Sequence, residues 1–177
     1  MIKIMIGVVV VAIAVIVTFL VLDPNIGITS TSGAVTEVAD TFTVTIEGEV
    51  YNSGTYTMSD NATLGDLIDT AGGVKNSADS RAYYETAELT KGTTYYIASR
   101  YDVNDVCNTS EISKANINTD SAETLATING ISNTVANSIV TYRTENGQFS
   151  TLEQLLEVYG IGNATYRKIR NYVILHA

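Results

Sequence analysis

Residues 158–170 read VYGIGNATYRKIR. Gly160-Ile161-Gly162 stands just ahead of a run carrying three bases, Arg167, Lys168 and Arg170. Glycine reaches positive φ without steric cost, so the chain can reverse sharply there. The segment has a counterpart. Setting Gly130 on Gly160 lays LATINGISNTVANSIVTYR (125–143) over LLEVYGIGNATYRKIRNYV (155–173). Leu125/Leu155, Gly130/Gly160, Ile131/Ile161, Asn133/Asn163, Ile139/Ile169 and Tyr142/Tyr172 are identical pairs. A fixed offset of this kind signals two copies of one supersecondary unit, each too small to bury its own core.

Each copy reads helix, tight turn, helix. Asp120 with Glu123, and Ser150 with Glu153, are the expected capping pairs of the first helices. Leu125/Ile128 and Leu155/Val158 form their apolar faces, and Ile131 and Ile161 drop into the core. The second helices are expected to start at Ser132/Asn133 and Gly162/Asn163, and Asn146-Gly147 closes the first copy. Glycines at the turn keep side chains away and let an external group approach the backbone. The first amides of a helix have no internal partner and carry the positive end of the helix dipole. Such an end binds phosphate. Arg167 lies about one and a half turns into its helix and can reach the same anion, while Lys168 and Arg170 add positive field. The expected contact set is Gly160, Ile161, Gly162, Asn163, Thr165, Arg167, Lys168 and Arg170. To it the first copy adds Gly130, Ile131, Ser132 and Asn133, with Lys114 ahead of them. Tyr142 and Tyr172 are expected to pack. Arg143 has two readings, a cap on its helix end or a phosphate contact.

The chain has 177 residues and a formal net charge of -9. Residues 1–110 hold five bases and thirteen acids, a balance of -8, whereas residues 111–177 hold five bases and six acids. An acidic total excludes a chain that coats nucleic acid with its whole surface, but not one basic face. Cys107 is the only cysteine and His176 the only histidine. An intramolecular disulfide and a cysteine-built metal site are therefore excluded, and His176 reads as part of a solvated tail. No acidic cluster, Ser/His/Asp set or metal-ligand spacing appears. The chain is not expected to be an enzyme, and no cofactor is implied.

Residues 4–22, IMIGVVVVAIAVIVTFLVL, contain no charge. As a helix they span roughly 28 Å, close to a bilayer's hydrocarbon core. Lys3 precedes the run and Asp23 follows it, which places the N-terminus inside and the rest outside. A cleaved signal peptide is the rival reading. Its apolar core is shorter, and no small-x-small site precedes Asp23-Pro24. The expected layout is therefore an anchor over 1–22 and a small, polar tether over 23–40.

Residues 41–98 read as an α+β module. Phe42, Val44 and Ile46 alternate with Thr43, Thr45 and Glu47, a half-buried strand. Asn52-Ser53-Gly54 is a turn, and Thr55–Met58 resumes a strand. Leu64, Leu67, Ile68 and Ala71 have helical spacing, which Gly72-Gly73 stops. Further strands are expected over Arg81–Leu89 and Thr93–Ile97. Tyr83, Tyr84, Tyr95 and Tyr96 are either strand filler or a contact surface. Residues 99–113 read as a linker to the repeat at 114–177.

The pattern IEGEVYNSGTYTM…LGDLIDTAGGV resembles the SLBB (soluble-ligand-binding β-grasp) domain. Gly48, Val50, Gly54, Tyr56, Leu64, Asp66, Ile68, Ala71, Gly72 and Gly73 fit that family, with Ser53 in place of its turn proline. The repeat resembles a tandem helix-hairpin-helix. The stretch KANINTDSAETLATINGIS…IVTYRTENGQFSTLEQLLEVYGIG is very similar to the competence DNA receptor ComEA family. The match includes Asn116, Asn118, Thr119, Tyr142, Arg143, Asn146, Gly147 and Phe149. Two departures stand out: Asn129 replaces the proline of the first hairpin, and Ser132 replaces its second glycine. The resemblance implies a single-pass membrane protein that captures double-stranded DNA outside the cell during natural transformation, without sequence preference. It also implies self-association through the SLBB-like domain and hand-over to the DNA-uptake channel and pilus components. A rival reading is an anchored receptor for cell-wall polysaccharide or a small ligand, with the hairpins as protein-interaction elements.

Overall fold

A computed structural model describes residues 40–102 and 110–177. The expected anchor at 4–22, most of the tether and Cys107 lie outside the described residues. Among the described residues no helix is long and apolar enough to cross a membrane.

The described chain is α+β. Strand β1 (Thr41–Gly48) lies at the centre of a three-stranded sheet of order β2-β1-β3. It pairs antiparallel with β2 (Gly54–Ser59), setting Phe42 opposite Met58. It pairs parallel with β3 (Thr94–Ile97), setting Ile46 opposite Tyr95. Phe42, Val44 and Ile46 are buried, as the alternation requires. Helix α1 (Leu64–Thr70) covers that face with Leu64, Leu67 and Ile68. A reciprocal cap opens it: the Thr63 amide donates to the Asp66 carboxylate at 2.8 Å, and the Asp66 amide donates to Thr63 Oγ1 at 3.3 Å.

The expected strand over Arg81–Leu89 is absent. Asp79 accepts from the Arg81 amide and opens a 3-10 turn, Ser80–Ala82. The segment then uses its carbonyls on the start of α1: Leu64 donates to Ala87 O and Gly65 to Glu85 O. It folds across the helix end rather than joining the sheet. Tyr83, Ala87 and Leu89 are buried there as packing, and Tyr95 is buried on β3.

The repeat forms one core. Helices α2 (Ala122–Leu125) and α3 (Asn133–Asn146) make the first hairpin. A 3-10 helix (Leu152–Glu157) and α4 (Asn163–Ile169) make the second. Leu125, Ile131 and Ile139 of the first copy bury with Leu155, Ile161 and Ile169 of the second. Two-residue strands β4 (Ala115–Asn116) and β5 (Val173–Ile174) pair in parallel and tie the two ends of the unit together. The Asn118 side chain fastens the same seam, donating to Phe149 O at 2.9 Å and Leu175 O at 3.0 Å and accepting from the Phe149 amide at 2.8 Å. Asn116 Oδ1 accepts from the Asn118 and Thr119 amides at 2.9 and 3.2 Å, so both asparagines are structural.

The expected capping pairs are displaced by one residue in both copies. Ser121 caps α2 through the Thr124 amide. Gln154 reaches back to the amides of Ser150 and Thr151. Asp120 instead accepts from the Asn116 amide at 2.8 Å. Glu153 points into the core, and its role is described below.

The SLBB-like sheet and the hairpins are joined through buried polar contacts. Asp79 is fully buried and receives both Lys114 Nζ and Arg81 Nε at 2.9 Å. Burial alone would raise the Asp79 carboxyl; the hydrogen bonds and charge of Arg81 and Lys114 overcome it and hold it well below the usual carboxylate range. The residues flanking 103–109 are also fixed, since Arg100 donates to Ser77 O and Ile112 to Arg100 O. His176 is not a solvated tail. Its ring stacks on Tyr84 at 4.7 Å.

Candidate nucleic-acid interface

Both hairpin turns have the required backbone. Gly130 has φ 115° and Gly160 φ 90°, conformations that side-chain-bearing residues rarely adopt. Each turn rests on the second helix of the other hairpin. A Cβ on Gly160 would sit 3.2 Å from Val135 Cγ2, and one on Gly130 would sit 3.0 Å from Ile169 Cγ2 and Lys168 Cδ. The glycines therefore permit close packing of two hairpins as well as the turn.

Ile131 and Ile161 are buried, and their amides donate to Ile128 O and Val158 O at 3.0 Å. Neither the side chains nor the amides of these two residues face outward. The open amides begin one residue later. No side chain caps α4 at Gly162, and a Cβ there would meet nothing within 4 Å. At α3 the Ser132 hydroxyl accepts from the Val135 amide at 3.3 Å, which occupies part of that end. Hairpin two is thus the more open. Ser132, Asn133, Gly162 and Asn163 are exposed, and Thr165 is half-buried in the first turn of α4.

The expected bases separate into two groups. Arg167 and Lys168 are exposed, and no hydrogen bond or ion pair among the described residues engages them. Arg167 stands one turn beyond Asn163, and the two line the same cleft beside the sheet. The aliphatic stem of Lys168 crosses Gly130, so its charge lies at the turn of hairpin one. This supplies a base to the hairpin whose own second helix has none ahead of Arg143.

The other bases are structural. Lys114, expected at the contact, has a side chain only 1% exposed, bonded to Asp79 and, at 2.6 Å, to Ser99 O. It is not available to a phosphate. Arg170 turns toward the sheet. Its guanidinium carbon lies 3.4 Å from the centroid of the Tyr96 ring, and Nη1 is 3.7 Å from Glu47. Arg143 fastens the loop before α2, donating to Ile117 O at 2.7 Å and Asp120 O at 2.6 Å. Tyr142 packs on Phe149 with ring centroids 4.8 Å apart, whereas Tyr172 is 38% exposed and does not share its role.

The sequence reading missed Glu153. Its carboxylate is buried and accepts from the Tyr96 amide of β3 and the Tyr166 hydroxyl of α4, both at 2.8 Å. Burial raises its pKa, and those hydrogen bonds, which favour the ionised form, do not cancel the effect. Asn171 completes the joint, accepting from Tyr96 Oη at 3.1 Å. Glu153 thus sets hairpin two against the sheet. Its only sequence signal was an acid near a helix start, which pointed to a cap instead.

The chain matches the SLBB domain family over residues 43–98 and the helix-hairpin-helix motif family over residues 110–174. It is 30% identical to ComE operon protein 1 of Bacillus subtilis (strain 168) over 146 residues, covering 77% of this chain and 71% of that protein. An uncharacterized protein of Haemophilus influenzae is 48% identical over 62 residues, 34% of this chain and 55% of its own length. The transcriptional accessory protein Tex of Neisseria gonorrhoeae is 41% identical over 56 residues, 32% of this chain and 7% of its own. The two domain matches, in this order and alongside a relative matched along most of both chains, show that the chain belongs to the ComEA family of competence DNA receptors.

Proposed function

We propose that the chain is a membrane-anchored receptor that holds double-stranded DNA outside the cell, without sequence preference, for uptake in natural transformation. The observation that carries the reading is the exposed, unpaired pair Arg167, one turn from the uncapped end of α4, and Lys168, over the turn of hairpin one, in a chain of this family. The bases and amides would hold phosphates. Among the described residues no long basic helix is available to read base edges, so the contact would be to the backbone. Residues 4–22 would be the anchor, leaving the sheet and hairpins outside. Two free bases give a weak, salt-sensitive contact, so several copies on one membrane would hold a duplex by avidity. Self-association through the SLBB-like domain would serve that purpose, and the channel and pilus components of DNA uptake would be the downstream partners.

The test is a salt titration of the full chain in detergent with two unrelated duplexes of equal length. The reading expects equal affinities and a linear fall of log K with log salt. A strong preference for one duplex, or no binding at low salt, would remove it.

A further inference from the structure

Tyr159 stands immediately before Gly160 and is 83% exposed, the most open of the large apolar side chains among the described residues. No hydrogen bond or ring contact among the described residues holds it. Aromatic side chains with a polar tip are enriched where a second molecule docks, and this ring adjoins a hairpin turn. Its position is specific. Because Gly160 has no side chain, α3 comes up against the turn at Val135. Tyr159 forms one wall of a shallow trough whose floor is Thr134, Asn137, Ser138 and Thr141 of α3. Thr134 follows Ser132 and Asn133, the open end of hairpin one. The ring therefore adjoins the turn of hairpin two, and the trough it walls reaches the first turn of α3 at the open end of hairpin one. The floor presents hydroxyls and amides, and the carboxylates of Glu145 and Glu157 also line the trough, so it suits sugars and base amino edges and disfavours phosphates. Glu157, at the trough's margin, is occupied by the Tyr142 hydroxyl at 2.6 Å.

We infer that the Tyr159 ring packs on the sugars and base edges of the bound duplex beside the turn of hairpin two, adding an apolar, salt-independent contact to the phosphate contacts. This rests on the DNA-receptor reading above. The contact needs a flat ring and not the hydroxyl.

The test compares Tyr159→Ala, Tyr159→Phe and the double change Arg167→Ala/Lys168→Ala in the full chain, against one duplex across a range of salt. Losing the partial burial of one aromatic ring against apolar sugar surface weakens binding by about five- to tenfold. Tyr159→Ala is expected to show that loss with an unchanged salt slope, and Tyr159→Phe to bind as the parent does. The double change is expected to lower the slope. If Tyr159→Ala binds as the parent while the double change weakens binding, the inference fails and the DNA reading stands. A loss in Tyr159→Ala that comes with a reduced slope also overturns it, since the ring would then act on the phosphate contacts. If no variant changes binding, both fail. Far-ultraviolet circular dichroism and the thermal midpoint check that each variant is folded.

Discussion

Lys114→Met separates stability from DNA contact at one residue. The lysine heads the segment that matches DNA-receptor sequences, and its charge alone would place it at the phosphates. The structure places its ammonium on Asp79 at 2.9 Å and Ser99 O at 2.6 Å, with the side chain 1% exposed. Methionine keeps the stem's apolar volume and removes the charge. Breaking one half of a buried ion pair costs about 3–5 kcal/mol. Arg81 still serves Asp79 from the other side, at 2.9 Å from Nε and from Nη2, so the lower end, about 3 kcal/mol, applies. For a chain of this size that lowers the thermal midpoint by roughly 6–12 °C. Denaturant unfolding followed by circular dichroism measures the stability, and duplex titration across salt, well below the midpoint, measures the contact. The expected result is a large loss of stability with the affinity and salt slope of the parent. A variant as stable as the parent whose slope falls by about one would refute the reasoning, because that is the signature of one lost phosphate contact.

Arg170→Ala should behave likewise. It removes a guanidinium seated on the Tyr96 ring, so the joint between α4 and β3 weakens while the salt slope of duplex binding holds. Acid should weaken the fold through Asp79. Its folded pKa is depressed, so its contribution is present above the unfolded carboxylate value of about 4 and is lost as pH falls from there through the lower folded value. Asp79→Asn should be less stable at neutral pH and lose less on acidification, as read by denaturant unfolding from pH 6 to pH 3. Glu153 acts in the opposite sense: its raised pKa lets the folded state take up a proton more readily, so acidification relieves the cost of its buried charge.

The parts of this chain that were legible in the sequence are those governed by short-range rules. Alternation in Phe42, Val44 and Ile46 marked a half-buried strand, and it is one. The 30-residue offset marked two hairpins, and the paired positions Ile131/Ile161 and Ile139/Ile169 bury together. Glycine at 130 and 160 marked turns because few other residues reach that backbone conformation. What was not legible depends on partners far along the chain. Charge type does not say which way a base faces, so Lys114, Arg167, Lys168 and Arg170 looked alike. Only the fold shows that Asp79 and Tyr96 take two of them and leave two. Strands β4 and β5 have two residues each and carry no period to read. Glu153 and Asp120 looked like caps because an acid near a helix start satisfies the local rule; Tyr96, which recruits Glu153, arrives from another segment, whereas Asp120 is taken by Asn116 only four residues earlier, in a turn with no period to read. The apolar run at 4–22 remains an expectation of the sequence alone.

The central claim is that hairpin two meets DNA phosphates through Arg167 and Lys168. Its most direct test is the salt dependence of duplex binding by the full chain beside the double change Arg167→Ala/Lys168→Ala. Each phosphate contact contributes about 0.9 to the slope of log K against log salt, so the account predicts a slope reduced by about 1.8 and weaker binding at low salt. Both side chains are exposed and unpaired, so the fold should be unchanged. A double variant that binds duplex with the parent's affinity and slope would contradict the account.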